Sequence, residues 1–245
     1  PLVEAMGVLR AHIRFSAGAS PHWRVLITSP QPSEGKSTLS AKLALALAAS
    51  NERTLLIDCD LRNPRLHQKQ LFDIKQGRGL AEVLSNEAQL SDVVQNVEKN
   101  LDLLTAGGTT NFPAEMLGSP AMEKLVKEDV AKAGYRYIIV DSPAGSLFAD
   151  SIVLSSLADA VYVLVRAGHS QRRILTMFIS HLRRVDAKLQ GIILNQVEMT
   201  SSAYGYYKYG YGYGYGYKDR NGSGKDSETK SKLASLEDFF RWLVG

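Results

Sequence analysis

The chain has 245 residues, 44% of them hydrophobic, which is enough for one substantial domain with a sizeable core and a tail, but not for two full domains. Basic and acidic residues nearly balance, 29 against 25 for a formal charge of +4, and they are mostly interspersed, so no nucleic-acid or membrane-surface role is demanded. The single cysteine, Cys59, can form no internal disulfide and no Cys/His spacing suggests zinc, a pattern that fits a reducing cytosol.

Leu2, Met6, Leu9 and Ile13 fall on one face of a predicted opening helix, which Gly7 weakens in the middle. Residues 24–29 read as a short buried strand, followed by a Pro/Ser/Gly loop and an alanine- and leucine-rich helix over residues 36–49. Further strands are expected at residues 54–58, 101–105, 137–141, 160–165 and 191–195, with helical patterns between them, for example over 119–133 and 171–185. Continuous apolar strands alternating with helices predict an α/β fold, doubly wound, with a mostly parallel sheet covered on both faces. The most apolar helical stretch, residues 39–49, is broken by Ser40 and Lys42 and is too short to span a membrane. No signal peptide is expected, and the start at Pro1 suits a piece of a longer protein.

After Asn195 the composition changes. Tyr204, Tyr206, Tyr207, Tyr209, Tyr211, Tyr213, Tyr215 and Tyr217 place eight of the eleven tyrosines within fourteen residues, separated only by glycine and Lys208. Such a run cannot bury all its rings at low entropic cost, and it reads as a flexible display of phenolic hydroxyls. The chain therefore divides into a domain over residues 1–199, a tail over 200–232, and a capped amphipathic helix over 233–245 in which Ser235 and Asp238 form a loose capping arrangement.

Between the first strand and the next helix stands Ser29-Pro-Gln-Pro-Ser-Glu-Gly-Lys-Ser-Thr38. In a phosphate-binding loop, successive backbone N–H groups and the helix N-terminus point at phosphate oxygens, a lysine such as Lys36 neutralises the terminal phosphates, and a hydroxyl such as that of Ser37 ligates magnesium. Pro30 stands where the usual pattern has another glycine, which leaves open a plain polar turn with a surface lysine. Asp141 closes one apolar strand run, and Asp58 and Asp60 flank Cys59 at the end of another. A lone aspartate there is as often a cap or turn residue, but three at this sheet edge beside a lysine loop form a specific constellation. Cys59 itself reads as a small packed residue.

These residues resemble the bacterial tyrosine kinases of exopolysaccharide and capsule synthesis, P-loop enzymes distinct in fold from eukaryotic protein kinases. The phosphate loop is similar to their first nucleotide motif, with Pro32 four residues before the lysine. Leu55-Leu-Ile-Asp-Cys-Asp-Leu-Arg-Asn-Pro64 resembles their Asp-x-Asp motif, with Arg62 and Pro64 in family positions, and Ile138-Ile-Val-Asp-Ser-Pro143 resembles their magnesium-side motif. Asn111-Phe-Pro-Ala-Glu-Met-Leu117 is similar to a family loop and helix start. The resemblance implies that ATP and Mg²⁺ are the cofactors. It places Gly35, Lys36, Ser37 and Thr38 on the nucleotide, Ser37 and Asp141 on the metal, and Asn195 on the adenine edge. It makes Asp58 the group that polarises or deprotonates the phenol, with Asp60 supporting the metal and nucleotide shell, and the eight tyrosines phosphoacceptors in trans.

The same resemblance implies a homo-oligomeric ring, a membrane-spanning polysaccharide co-polymerase region fused or separate, a cognate tyrosine phosphatase, no nucleic acid, and a place at the cytoplasmic face of the inner membrane. Glu4 and Arg10 fit the family's oligomerisation motif, while Gly7 replaces its middle arginine. Ser33 takes a position that is often glycine, and 28 residues follow Tyr217 where many relatives end.

Two other classes compete. A Min/Par-type switch ATPase shares the fold, but carries a signature lysine where Gln31 stands. A tyrosine-rich RNA- or polysaccharide-binding module would stack rings on its ligand, yet Lys208 is the only cation inside the run. A low-complexity linker is the plainest alternative. Arg172, Arg173, Arg183 and Arg184 form two basic pairs on a predicted helix, read as a solvated face or as a patch for an acidic or phosphorylated tail. The five histidines are scattered and receive no role.

Overall fold

In a computed structural model of the chain, residues 2–67, 71–75, 77–145 and 149–197 are described. The expected tail, the C-terminal helix and all eight clustered tyrosines lie outside them. Seven strands form one sheet: β1 (Trp23–Thr28), β2 (Thr54–Asp58), β3 (Gln95–Glu98), β4 (Leu101–Leu104), β5 (Tyr137–Asp141), β6 (Ala160–Arg166) and β7 (Leu189–Asn195). Their order is β3-β4-β2-β5-β1-β6-β7, parallel throughout except for β3, which pairs antiparallel with β4 at one edge.

Alternation along the strands builds two cores, because successive side chains point to opposite faces. Val25, Ile27, Leu56 and Ile139 face α1 (Leu2–Ala17) and α2 (Lys36–Ala48), meeting Met6, Ile13, Leu43 and Leu47. Leu26, Leu55, Ile57, Ile138 and Val140 face the other way. There they meet the helices α3 (Leu80–Leu84), α5 (Pro113–Leu117), α6 (Pro120–Lys124), α7 (Val130–Lys132), α8 (Asp150–Ser155) and α9 (Arg172–Arg184), and α4 (Leu90–Val93) adds Val93. The predicted doubly wound architecture is the one observed.

Three details differ from the sequence-based expectation. The helix expected over residues 119–133 is interrupted by a π-helical turn, Leu125–Asp129, between α6 and α7. Its start is set by Pro120 in the first turn and by Ser119, whose Oγ accepts the Met122 N–H at 3.3 Å. The edge strand β3 was not anticipated, since Gln-Asn-Val-Glu is short and polar. Finally β7, read from its apolar run as a buried strand, is the opposite sheet edge, and Ile192 and Leu194 are exposed there.

The opening helix is part of the core rather than an appendage. Ile13 is completely buried against the α2 face of the sheet, so truncating it leaves a cavity that neighbouring β-strands cannot close. Ile13→Ala is expected to cost about 3 kcal/mol, read as a lowered urea midpoint with an unchanged slope.

Candidate active site

The carboxyl ends of β2, β5 and β1 lie side by side because these strands are parallel neighbours. From β1 the chain crosses to β2 on one side, and from β5 it crosses to β6 on the other. Such a switch point opens a crevice at the carboxyl edge of the sheet, where ligands of doubly wound folds sit.

The loop from Ser29 to Gly35 rises from β1 and delivers Lys36 to the first position of α2. Lys36 is 8% exposed, and Ser37 and Thr38 are half-buried beside it. The N–H groups of this first helical turn have no partner within the helix, which makes them anion donors. Gly35 holds φ +100°, and a Cβ there would come within 2.5 Å of Asn195 Nδ2, so both backbone and space require glycine. Ser33 also adopts a left-handed conformation, φ +61°, a region that favours glycine.

Asp141 ends β5 and is fully buried. Its Oδ1 accepts the Ser40 hydroxyl at 2.9 Å, and its Oδ2 is buried with no hydrogen-bond partner. Burial pushes its carboxyl upward, against the pull of the Ser37 hydroxyl and the Lys36 charge. An orphaned carboxylate oxygen next to a serine hydroxyl fits Mg²⁺, a hard cation that keeps water and phosphate ligands. Among the described residues no group of three His, Cys, Asp or Glu side chains cages a metal, so phosphate and water oxygens would complete the shell.

Asp58 stands directly opposite Asp141 in the β2–β5 register and is also fully buried. Its Oδ1 accepts the Asp60 N–H at 3.1 Å, and its Oδ2 accepts the N–H groups of Arg65 and Leu66, each at 3.2 Å. Burial, then the Asp141 charge, holds its carboxyl well above the usual range. Asp60, by contrast, is half-buried, accepts the Asn63 N–H at 3.0 Å and lies within the field of Lys36. The two aspartates on either side of Cys59 thus differ in access: Asp58 lies inside the loop, Asp60 at its opening. Cys59 is completely buried, and burial pushes its thiol up, so it packs as a small residue.

Two residues that received no role from the sequence, Asp150 and Glu34, brace this edge. Asp150, fully buried at the start of α8, takes Arg62 in a fork, Nε to Oδ2 at 2.8 Å and Nη2 to Oδ1 at 3.2 Å, tying the Asp-x-Asp loop to the segment after Asp141. Glu34, fully buried within the phosphate loop, accepts the Gln31 N–H at 2.9 Å and the Ser170 hydroxyl. Asn195 Nδ2 donates to the Glu34 carbonyl at 2.8 Å. Only the pairing of an internal acid with a hydroxyl or an arginine far along the chain could have disclosed these, and spacing carries no such signal. Glu4 and Arg10 lie away from the site on α1, where Glu4 is exposed and Arg10 Nη1 donates to the Ala46 carbonyl of α2 at 3.3 Å.

Residues 31–194 match the AAA domain family. The chain is 35% identical over 206 residues to the tyrosine-protein kinase YwqD of Bacillus subtilis, covering 83% of this chain and 85% of that protein. The chain belongs to the bacterial tyrosine-protein kinases. It is also 31% identical over 203 residues to the tyrosine-protein kinase ptk of Acinetobacter johnsonii, covering 82% of this chain but only 27% of that protein. This member of the kinase family thus spans about a quarter of one relative and most of another. Among solved structures, the kinase domain of the Escherichia coli tyrosine kinase ETK superposes with a TM-score of 0.75 at 28% identity, over 88% of this chain and 80% of that one. The septum site-determining protein MinD of Pyrococcus horikoshii, 21% identical with a TM-score of 0.59 over 73% of this chain and 72% of its own, shares the fold.

In this kinase-family chain Gln31 Oε1 accepts the Gln171 N–H at 2.9 Å. The position of the switch-ATPase signature lysine is therefore held by a neutral side chain bound to its own α9.

The buried pair Asp58 and Asp141 has a consequence for stability. Both carboxyls have raised proton affinity in the folded chain. As pH rises from about 4, where free aspartate titrates, the unfolded state loses its protons first, so ligand-free stability falls until the folded groups titrate in turn. Asp141→Asn removes one of the two like charges and is expected to flatten this decline, seen as a smaller drop in Tm between pH 5 and pH 8. An unchanged slope would mean the pair is not the source.

Proposed function

We propose that this chain is an ATP- and Mg²⁺-dependent protein-tyrosine kinase that phosphorylates the tyrosine cluster of a neighbouring copy, and that it regulates exopolysaccharide polymerisation or export through assembly and disassembly of its oligomer. The observation that carries the reading is the orphaned Asp141 Oδ2 beside Ser37 and Lys36, on the same sheet edge as the half-open carboxylate of Asp60. The run of eight phenols between Tyr204 and Tyr217 supplies acceptors in kind.

In this reading the amides at Gly35, Lys36, Ser37 and Thr38 and the Lys36 ammonium hold and orient the phosphates, and Asn195 borders the base. Mg²⁺, held by Ser37 and Asp141, would neutralise charge growing on the phosphate oxygens. The half-buried Asp60 is the carboxylate an incoming phenol meets first. Asp58, which the sequence resemblance made the group that polarises the phenol, is fully buried one layer deeper, so in this reading Asp60 takes that contact while Asp58 shapes the loop and supplies a second group of raised proton affinity. A phenol has a pKa of about 10, so the pair need accept its proton only late, as the oxygen–phosphorus bond forms. Positioning and charge neutralisation supply most of the acceleration.

The exposed side chains of α1, among them Val8, Phe15 and Glu4, offer a face on which copies could meet. We assign the homo-oligomer to this helix, and place the kinase at the cytoplasmic face of the inner membrane beside a membrane-spanning co-polymerase region, fused or separate, with a cognate phosphatase to reset it. Among the described residues no helix is long and apolar enough to cross a membrane. Repulsion among phosphorylated tails, each phosphate adding about −1.5 to −2 charges, would loosen the assembly. The switch-ATPase reading is disfavoured by the neutral, internally bound Gln31.

Incubation with Mg²⁺ and γ-labelled ATP is expected to label residues between Tyr204 and Tyr217, giving a ladder of phosphate additions by mass. Phosphate release without label on the chain would replace the kinase with a switch ATPase. Lys36→Met is expected to lower transfer at least 100-fold with the circular dichroism of a folded chain. Mixing that variant with an active chain lacking its tail should restore label to the Lys36→Met copy, and an unlabelled mixture would rule out transfer in trans. Asp60→Asn is expected to lower kcat about 100-fold with the KM for ATP within threefold, in line with the usual contribution of general-base catalysis. A wild-type rate would remove Asp60 from the reaction.

A further inference from the structure

The helix α9 has two faces of opposite character. Its inner face is fixed to the sheet by the buried Phe178 and Leu182. Its outer face lines an open groove of about 680 Å³ with Arg172, Arg173, Met177, His181 and Arg184, together with Thr176 and Ser180. The two hydroxyls are already engaged, Thr176 Oγ1 donating to the Arg172 carbonyl and Ser180 Oγ to the Thr176 carbonyl, each at 2.9 Å. What remains for a partner is cationic, with one apolar sulfur side chain, Met177, at its centre. The thirteen residues of α9 contain four arginines and no acid, and no salt bridge among the described residues reaches them. Four like charges left uncompensated on one helix fit an anionic partner.

We propose that this outer face of α9 docks the phosphorylated tyrosine segment of this chain, residues 204–217, as the product of its own reaction. The inference rests on the kinase reading above for the origin of the phosphates. Three features favour this occupant.

The first is charge. Residues 202–218 contain Lys208 and Lys218 and no carboxylate, so the unmodified segment is +2 and is repelled by α9. Eight phosphates would bring it to about −10 to −14, so modification inverts the sign of the interaction. The guanidinium pair Arg172/Arg173 at one end of the stripe and Arg184 at the other suit phosphate groups bidentately, and Met177 suits an aromatic ring.

The second is spacing. Arg172/Arg173, Thr176/Met177, Ser180/His181 and Arg184 recur every four residues, a rise of about 6 Å per step along a helix. Tyr209, Tyr211, Tyr213, Tyr215 and Tyr217 alternate with glycine, and in an extended chain they would share one side at about 6.7 Å per step. The steps of helix and tail therefore stay nearly in register over the length of α9.

The third is placement. Tyr204 is seven residues beyond Val197 in sequence, a span of at most about 23 Å, and Val197 lies two residues past β7, the strand that α9 precedes. β7 ends beside the end of β6, with Asn195 opposite Arg166, so the chain leaves β7 at the edge where α9 begins after Gln171, whose N–H is bound by Gln31 of the phosphate loop. A segment leaving the active edge thus meets the first arginine pair within one loop of the reaction site.

The test uses the full chain carrying Lys36→Met, so that its own tail stays unmodified, and a fluorescent synthetic peptide of residues 202–218 phosphorylated at Tyr211, Tyr213, Tyr215 and Tyr217. Anisotropy is expected to show binding of the phosphopeptide at least 100-fold tighter than the unmodified peptide. Arg172→Ser with Arg173→Ser, and separately Arg183→Ser with Arg184→Ser, should each weaken it at least tenfold with unchanged circular dichroism. Equal binding to the parent and both double variants overturns the proposal, as does equal binding of the unmodified peptide. Vesicles of anionic lipid or a single-stranded oligonucleotide that bind as tightly, and are lost on the same substitutions, also overturn it and make α9 a general anion surface. Because the phosphopeptide is synthetic, failure here leaves the kinase reading standing, whereas failure of the labelling assay sinks that reading without touching this binding result.

Discussion

Two fully buried carboxylates, Asp58 and Asp141, face each other across neighbouring strands, and the edge around them is organised by the need to contain their charge. Desolvating one carboxylate is costly, and desolvating two in adjacent register is more so. Asp58 is held by three backbone N–H groups of the loop that follows it. Asp141 receives one hydroxyl from α2 and keeps one oxygen without a donor. Lys36 supplies the nearby positive charge, and its influence reaches Asp60 and Asp141. A fold selected only for stability would place an apolar residue or a donor at Asp141 Oδ2. That unpartnered oxygen is the observation on which the proposed metal site rests.

Containment on one side is matched by bracing on the other. The phosphate loop includes two left-handed residues, Ser33 and Gly35, and would not hold this shape unaided. Glu34 fixes it from within, through Gln31 and Ser170, while Asn195 anchors it from the end of β7. The Arg62 and Asp150 fork does the same for the loop after β2. Both braces bury a carboxylate against specific donors, so they add geometric definition more than net stability. Preorganised donors are worth most where charge develops during a reaction, which is why such bracing belongs around a phosphate site.

The strands carrying Asp58 and Asp141 were legible because each is an unbroken apolar run ending in an acid, a pattern that a parallel sheet buried on both faces produces directly. The lysine loop was legible despite Pro30, since Gly35, Lys36 and Ser37 are tied to one backbone geometry. Other features left no local trace. Whether an apolar run is central or at an edge depends on what lies beside it, so Gly191 to Asn195 looked no different from a buried strand. Asp150 is 88 residues from Arg62, and Ser170 is 136 from Glu34, separations at which composition conveys nothing about pairing. The access difference between Asp58 and Asp60 also arises from tertiary packing, because alternation alone puts them on the same side of the strand end.

The phosphate loop and α9 are mechanically one unit. Gln31 caps the Gln171 N–H, and Glu34 holds Ser170, whose hydroxyl also accepts the Arg166 N–H at 2.7 Å from the end of β6. Any rearrangement of residues 31–34 on filling the nucleotide site must therefore be absorbed by the turn that opens α9 or be resisted by it. The inner face of α9 resists, since Phe178 packs so closely on the loop after Asp141 that a Cβ on Gly145 would lie 2.0 Å from its ring. Rigid anchoring on the sheet side and direct hydrogen bonds to the phosphate loop together hold the arginine stripe at a fixed offset from the reaction site. A charged surface held in that way can discriminate by spacing as well as by sign, which a mobile basic loop could not do.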